Sequence, residues 1–159
     1  MFKIFIGADH AGFSLKEFLK ERLVKVGYEL EDKGAFSLDP KDDYPDFIRP
    51  VAEAVDNDPG TTFGIIIGGS GQGEAMLANR YKNVRAVVFY GGPDSIITLS
   101  REHNNANILS LGARFLDDES AYTAVTLWLR TDFSEESRHI RRLNKMNIAQ
   151  RPSERLKDL

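Results

Sequence analysis

The sequence predicts a doubly wound α/β fold: a single sheet of five parallel strands with helices on its faces. Two observations predict it. Short apolar runs alternate with longer segments of helical period, the pattern of strands joined by crossover helices. No internal repeat, linker or low-complexity tract interrupts the chain, and 159 residues with 42% hydrophobic content suit one buried core. One domain over residues 1–150 and a polar tail over 151–159 are expected, with Pro152 discouraging further helix in the tail.

The strand candidates are Lys3 to Ile6, Tyr28 to Leu30, Phe63 to Ile67, Ala86 to Tyr90 and Ile108 to Leu111. Leu15, Phe18, Leu19, Leu23 and Val26 fall at helical spacing after the first strand, and Gly27 supplies the residue that commonly ends a helix in a left-handed conformation. A second helix begins near Tyr44-Pro45, since proline suits a first turn where its missing N–H is not needed, and Asn57 to Gly60 breaks it. A third opens after the glycine run at 68–73, a fourth after Gly92-Pro93 and a fifth at about Asp117, running through Trp128. Ser137 to Ile148 reads as a last, strongly basic helix.

The charge balance excludes several functions. With 21 basic and 24 acidic residues the net charge is -3, so no global positive field argues for nucleic acid or an anionic membrane. Without cysteine the chain has no disulfide, no thiolate nucleophile and no cysteine metal site. Met1 to Gly7 enters a strand-like run directly, without the regions of a signal peptide, and no stretch approaches the roughly 20 apolar residues that span a bilayer. A cytoplasmic protein is the expectation.

In sheets of this class ligands bind in the crevice at the carboxyl ends of the strands, so residues just after a strand are the suspects. Gly68-Gly69-Ser70-Gly71-Gln72-Gly73-Glu74 follows strand three, and its glycines let backbone N–H groups face a small anion. It is neither a Walker loop, lacking Lys-Ser or Lys-Thr, nor a dinucleotide fingerprint. A tight turn without ligand is the bland alternative. Glu74, a favourable first-turn acid by itself, becomes a candidate general base beside such a cradle. Asp9 and His10 follow strand one and reach the same crevice, or else serve as a turn cap and a solvated residue. His103 closes the fourth helix, where a charge at a helix C-terminus is its simpler role. Arg138 and Arg142, four apart, share a helix face able to hold a phosphate or merely to meet solvent. Arg114 adds a cation after strand five.

Taken in order, Gly7-Ala8-Asp9-His10-Ala11-Gly12 with Leu15-Lys16, Asp32-Lys33-Gly34, Asp43-Tyr44-Pro45, Gly68 to Glu74 with Ala78-Asn79, Arg85-Ala86, Ser100 to Asn104 with Asn107, and Arg138-His139 with Arg142 resemble the ribose-5-phosphate isomerase type B family, which includes galactose- and allose-6-phosphate isomerases. The resemblance reaches to about residue 148. It implies a Rossmann-like five-stranded sheet and an isomerase working through a cis-enediolate. Many members carry a cysteine base where this chain has Gly68; a second branch places a glutamate at the loop's end, and the role passes to Glu74. By the same resemblance His103 assists ring opening with Asp9 beside it, and Ser70 with the N–H groups of Gly71 and Gly73, next to Gly69, holds the oxyanion. His10, Arg138 and Arg142 bind phosphate, while Tyr44, Asn104 and Arg114 line the sugar. A proton shuttle and a hydrogen-bonded oxyanion need no metal and no cofactor, and the resemblance implies a homodimer or tetramer with sites shared between subunits. Ribose 5-phosphate is the favoured substrate. A six-carbon sugar phosphate, a non-catalytic partner subunit and a flavodoxin-like phosphate- or nucleotide-binding module stay open as alternatives.

Overall fold

The structure, a computed structural model, describes residues 2–148, so the tail at 151–159 lies outside the described residues. The elements in chain order are β1 (Lys3–Ala8), α1 (Phe13–Lys25), β2 (Glu29–Asp32), α2 (Pro45–Asn57), β3 (Thr62–Gly68), α3 (Gln72–Ala78), β4 (Ala86–Phe89), α4 (Ser95–Glu102), β5 (Ile108–Gly112), α5 (Asp118–Arg130) and α6 (Ser137–Ile148). All strand pairs are parallel, in the order β2-β1-β3-β5-β4. The doubly wound five-stranded sheet read from the sequence is therefore present.

Right-handed crossovers decide which face each helix covers. The chain steps one way from β1 to β2 and from β4 to β5, and the other way from β2 to β3 and from β3 to β4. Accordingly α1, α4 and α5 pack on one face through Leu15, Leu19, Leu23, Ile97, Val125 and Trp128. Helices α2 and α3 cover the other through Ile48, Val51, Val55 and Ala78. The central strands are apolar on both sides, as a sheet covered on two faces requires: Ile65, Ile66 and Ile67 of β3 are all fully buried.

All five strands differ in their bounds from the sequence reading, β3 by one residue at each end and β5 by one at its end. β1 extends to Ala8 because Gly7 and Ala8 continue the ladder with Ile66 and Ile67. β2 is Glu29–Asp32 rather than Tyr28 to Leu30. As an edge strand pairing only with β1 it tolerates Glu29, Glu31 and Asp32, whose charge hid it from an apolar criterion. β4 stops at Phe89, before Gly91 and Gly92 turn the chain with φ of 119° and 117°. Gly27 ends α1 at φ 94°, as expected, and Asp117 caps α5 by accepting the Ser120 N–H at 2.8 Å.

Candidate active site

The helices after β1 and β3 lie on opposite faces, which opens a crevice between the carboxyl ends of these neighbouring strands. Asp9-His10 follows β1 and the glycine loop follows β3, so sequence order delivers both to one place. The turn after β5 clamps the loop from its other side: Ala113 N–H donates to the Gly68 carbonyl at 2.9 Å and Arg114 N–H to the Gly69 carbonyl at 3.1 Å. The Ser110 hydroxyl donates to the Gly71 carbonyl at 2.6 Å. Gly71 sits at φ 78°, where a Cβ would press on Ser110 Oγ at 3.0 Å, so glycine is required twice over. Ser70 Oγ accepts the Gln72 N–H at 3.3 Å, while the N–H groups of Gly69, Ser70 and Gly71 meet no carbonyl across the loop among the described residues. The loop is thus held by its carbonyls and keeps donors in reserve.

Glu74 is 4% exposed, on the first turn of α3. Its carboxylate turns back over the strand end: a Cβ built on Gly68 would overlap Oε1 and Cδ and lie 2.8 Å from Oε2. The acid occupies the volume that a side chain at position 68 would take. Burial, countered in part by its own backbone N–H and reinforced by the charge of Asp9, raises the Glu74 carboxyl above the ordinary carboxylate range. A buried acid with a raised pKa beside a donor-rich loop has the makings of a proton-transfer base.

The neighbours assemble around it. Asp9, buried, accepts N–H donors from Ala11 at 3.0 Å and Gly12 at 3.2 Å, so its turn-capping role is real and leaves Oδ2 toward the crevice side, 3.9 Å from His10 Nδ1. The Tyr44 hydroxyl would lie 2.8 Å from a Cβ on Gly73, and the Arg114 guanidinium 3.0 Å from one on Gly69. Asp9, His10, Tyr44, Gly69, Ser70, Gly71, Gly73, Glu74 and Arg114 therefore come together in one chain. Sequence reasoning missed Asp42, which binds His10 from the loop before α2; an acid next to the Asp43-Tyr44-Pro45 motif was its only signal. Asp9, His10 and Asp42 offer ligand-type atoms within 4.8 Å of one another, a spacing a cation spans, but the 2.6 Å contact between His10 Nδ1 and Asp42 Oδ1 commits those two atoms to each other.

His103, Asn104 and Arg142 form a second group. They line a cavity with His139 beside β4, and the rings of His103 and His139 stack at 4.1 Å with 15° between planes. His139 is 2% exposed, and burial pushes its imidazole pKa down. Arg138, half-exposed, pairs with Glu136 at 2.8 Å. The separation of the two groups follows from topology. His103 is the C-cap of α4, which runs back from the carboxyl end of β4 to the amino end of β5. The five residues of β5 then span roughly 13 Å to the glycine-loop end at about 3.3 Å each. A single chain does not bring His103 to Glu74.

Other motif residues are structural. Asn79 bridges to Ala86 through both its amide groups, at 2.9 Å and 2.8 Å. Asn107 joins Arg85 N–H at 2.7 Å to the Asn83 carbonyl at 2.8 Å. Lys16 is fully buried on Asp32 at 2.6 Å.

A buried carboxylate over a donor-rich loop, at the switch point of a parallel α/β sheet, has the form of an α/β enzyme's active site. Residues 4–146 match the Ribose/Galactose Isomerase family, and the chain belongs to it. It is 39% identical to ribose-5-phosphate isomerase B of Mycobacterium leprae over 142 residues, covering 89% of this chain and 86% of that one. The Escherichia coli enzyme of that name is 40% identical over 143 residues, covering 90% and 93%. Among solved structures, that of Mycoplasma genitalium ribose-5-phosphate isomerase B with bound ribulose-5-phosphate superposes with a TM-score of 0.88 at 36% identity, over 93% of this chain and 95% of the other. No helix of the described residues is long and apolar enough to cross a membrane.

Proposed function

We propose that this isomerase interconverts ribose 5-phosphate and ribulose 5-phosphate through a cis-enediolate, with Glu74 as the base. The observation that carries the reading is the buried Glu74 carboxylate, folded into the volume of the missing Gly68 side chain at the start of the glycine loop. In the open-chain aldose Glu74 takes the proton from C2, and the C1 carbonyl oxygen becomes the enediolate oxyanion. Ser70 and the N–H groups of Gly71 and Gly73 are the donors that receive this charge, preorganised because the loop is clamped by its carbonyls. Glu74 returns the proton to C1 while the O2 proton passes to O1, which leaves a ketone at C2. No electron leaves the substrate, and the protein needs only a base and hydrogen-bond donors.

The same reading gives the remaining residues their work. His103, with Asp9, opens the furanose ring; Tyr44, Asn104 and Arg114 contact the sugar; His10, Arg138 and Arg142 hold the phosphate. Because topology keeps His103, Asn104 and Arg142 away from Glu74 within one chain, a homodimer in which each subunit completes its partner's site is part of the proposal. Ile96 and Leu99 of α4 and Met146 of α6, all exposed, line cavities with Val87 of the edge strand β4, which suits such an interface. The relative solved with ribulose-5-phosphate supports the five-carbon substrate.

The test is conversion of ribose 5-phosphate by the purified protein in EDTA, with Glu74→Gln and with allose and galactose 6-phosphates in parallel. Turnover of ribose 5-phosphate that Glu74→Gln abolishes supports substrate and base together. A preference for a six-carbon substrate overturns the substrate choice, and no turnover of any sugar leaves a binding module.

A further inference from the structure

His10 does not stand alone in the crevice. The loop between β2 and α2 brings Asp42, 32 residues away, against it, and a single carboxylate oxygen serves the residue twice. Asp42 Oδ1 accepts the His10 backbone N–H at 3.0 Å and lies 2.6 Å from ring Nδ1. Two bonds from one atom fix both the main chain and the ring of His10. The Asp42 side chain is only 7% exposed, and its Oδ2 has no partner among the described residues. A buried carboxylate with one oxygen unpaired costs stability, which argues that it is kept for its effect on the histidine.

The chemistry of imidazole says what that effect is. With Nδ1–H given to Asp42, the neutral ring leaves Nε2 as an acceptor, which repels a phosphate oxygen. Only the imidazolium offers a donor at both nitrogens. We infer that Asp42 is a positioning residue for His10, locking its ring through Nδ1 and holding it as the imidazolium so that Nε2 donates to the substrate phosphate. The inference rests on the proposed function, in which His10 lies at the phosphate.

The charges facing the ring come from three elements. Asp42 from the loop before α2 dominates, Asp9 from the turn after β1 acts in the same sense, and Arg114 from the turn after β5 opposes. The Asp42 hydrogen bond is the largest contribution, and with the charges of Asp42 and Asp9 it outweighs desolvation and Arg114 to raise the His10 pKa above the ordinary histidine value. Asp42→Asn keeps an oxygen for the backbone N–H and removes the charge, with an NH2 in the place of the unpartnered Oδ2.

The chain has three histidines, so proton NMR of the full-length protein follows His10 directly. In Asp42→Asn the His10 titration moves to lower pH, and inorganic phosphate at pH 7.5 binds about tenfold more weakly, as expected for losing one charge-assisted bond. KM for ribose 5-phosphate rises by a similar factor with kcat within about threefold, and the basic limb of kcat/KM shifts to lower pH. In a His10→Gln background Asp42→Asn adds nothing to KM, because the two act as one unit. An unchanged His10 titration, an additive double variant, or phosphate that leaves the His10 resonances unmoved overturns the inference. If no sugar phosphate is turned over, the functional reading fails, and the titration with the phosphate affinity still decides the role of Asp42. Should Asp42→Asn not fold, wild-type His10 titrating at or below the ordinary histidine value overturns it.

Discussion

The Glu74 carboxylate fills the space above Gly68, so these two residues form one packing unit: the absent side chain at 68 is the seat of the acid at 74. Gly68 ends β3 in register with Gly112 of β5, so the sheet anchors it, and Glu74 is held on the first turn of α3. Gly68→Ala therefore has to displace the carboxylate from the crevice. The expected outcome is a kcat lower by about a hundredfold or more, the scale of a misplaced general base, with the fold retained by circular dichroism. A Gly68→Ala enzyme with wild-type kcat would mean that the carboxylate works from another position.

Glu74 also sets a pH dependence with two signs. Its carboxyl is raised by burial, so the folded chain binds this proton more tightly than the unfolded chain does. Stability then falls as pH rises from the unfolded glutamate value through the raised folded one, above which the ionised Glu74 is a net cost. Activity needs the ionised form and runs the other way, with an acid limb of kcat/KM above the ordinary carboxylate range. Glu74→Gln should lower kcat by about a thousandfold and raise Tm at pH 7.5 by on the order of a few degrees, the gain shrinking toward pH 4. Thermal unfolding of both proteins across that range checks it; a variant less stable at pH 7.5 contradicts the burial argument.

The division of the site between two groups predicts complementation. If the proposed homodimer shares its sites, Glu74→Gln and His103→Gln subunits should each be inactive alone. Mixed and re-equilibrated in equal amounts, about half of the dimers are hybrids with one intact site each, so about a quarter of wild-type activity should return. An absence of rescue, with exchange of subunits verified by mass, would place both residues in one chain's site.

The elements were legible where the pattern is local. Gly27, Pro45 and Asp117 announce helix ends through backbone chemistry, and Ser137–Ile148 was read to the residue. β2 was misplaced because Glu29, Glu31 and Asp32 look like loop while serving an edge strand. Strand order was not legible at all: nothing in the periodicity says that β5 inserts between β3 and β4. His103 lies at the far end from Glu74 for a separate reason: α4 joins two parallel strands and so runs back from the carboxyl end of β4 to the amino end of β5. Asp9, His10 and the glycine loop were legible because each directly follows a strand that ends at the crevice. Asp42 was not, since its partner lies 32 residues away and only folding brings them together.

The chemistry proposed for the site predicts indifference to chelator. Enediolate formation moves one proton between adjacent carbons, and the developing charge falls on an oxygen that Ser70 and the loop N–H groups can hold without a Lewis acid. The one cluster of ligand-type atoms among the described residues, Asp9, His10 and Asp42, spends its closest pair on a 2.6 Å hydrogen bond. A divalent cation entering there would have to displace the His10 proton, and so remove the positive ring that the phosphate needs. Ribose 5-phosphate turnover should persist in millimolar EDTA within about twofold, and added divalent ions should inhibit or leave it unchanged rather than activate. Loss of turnover in EDTA that a divalent ion restores would reassign this cluster from phosphate binding to metal binding and would undo the role given to Asp42 with it.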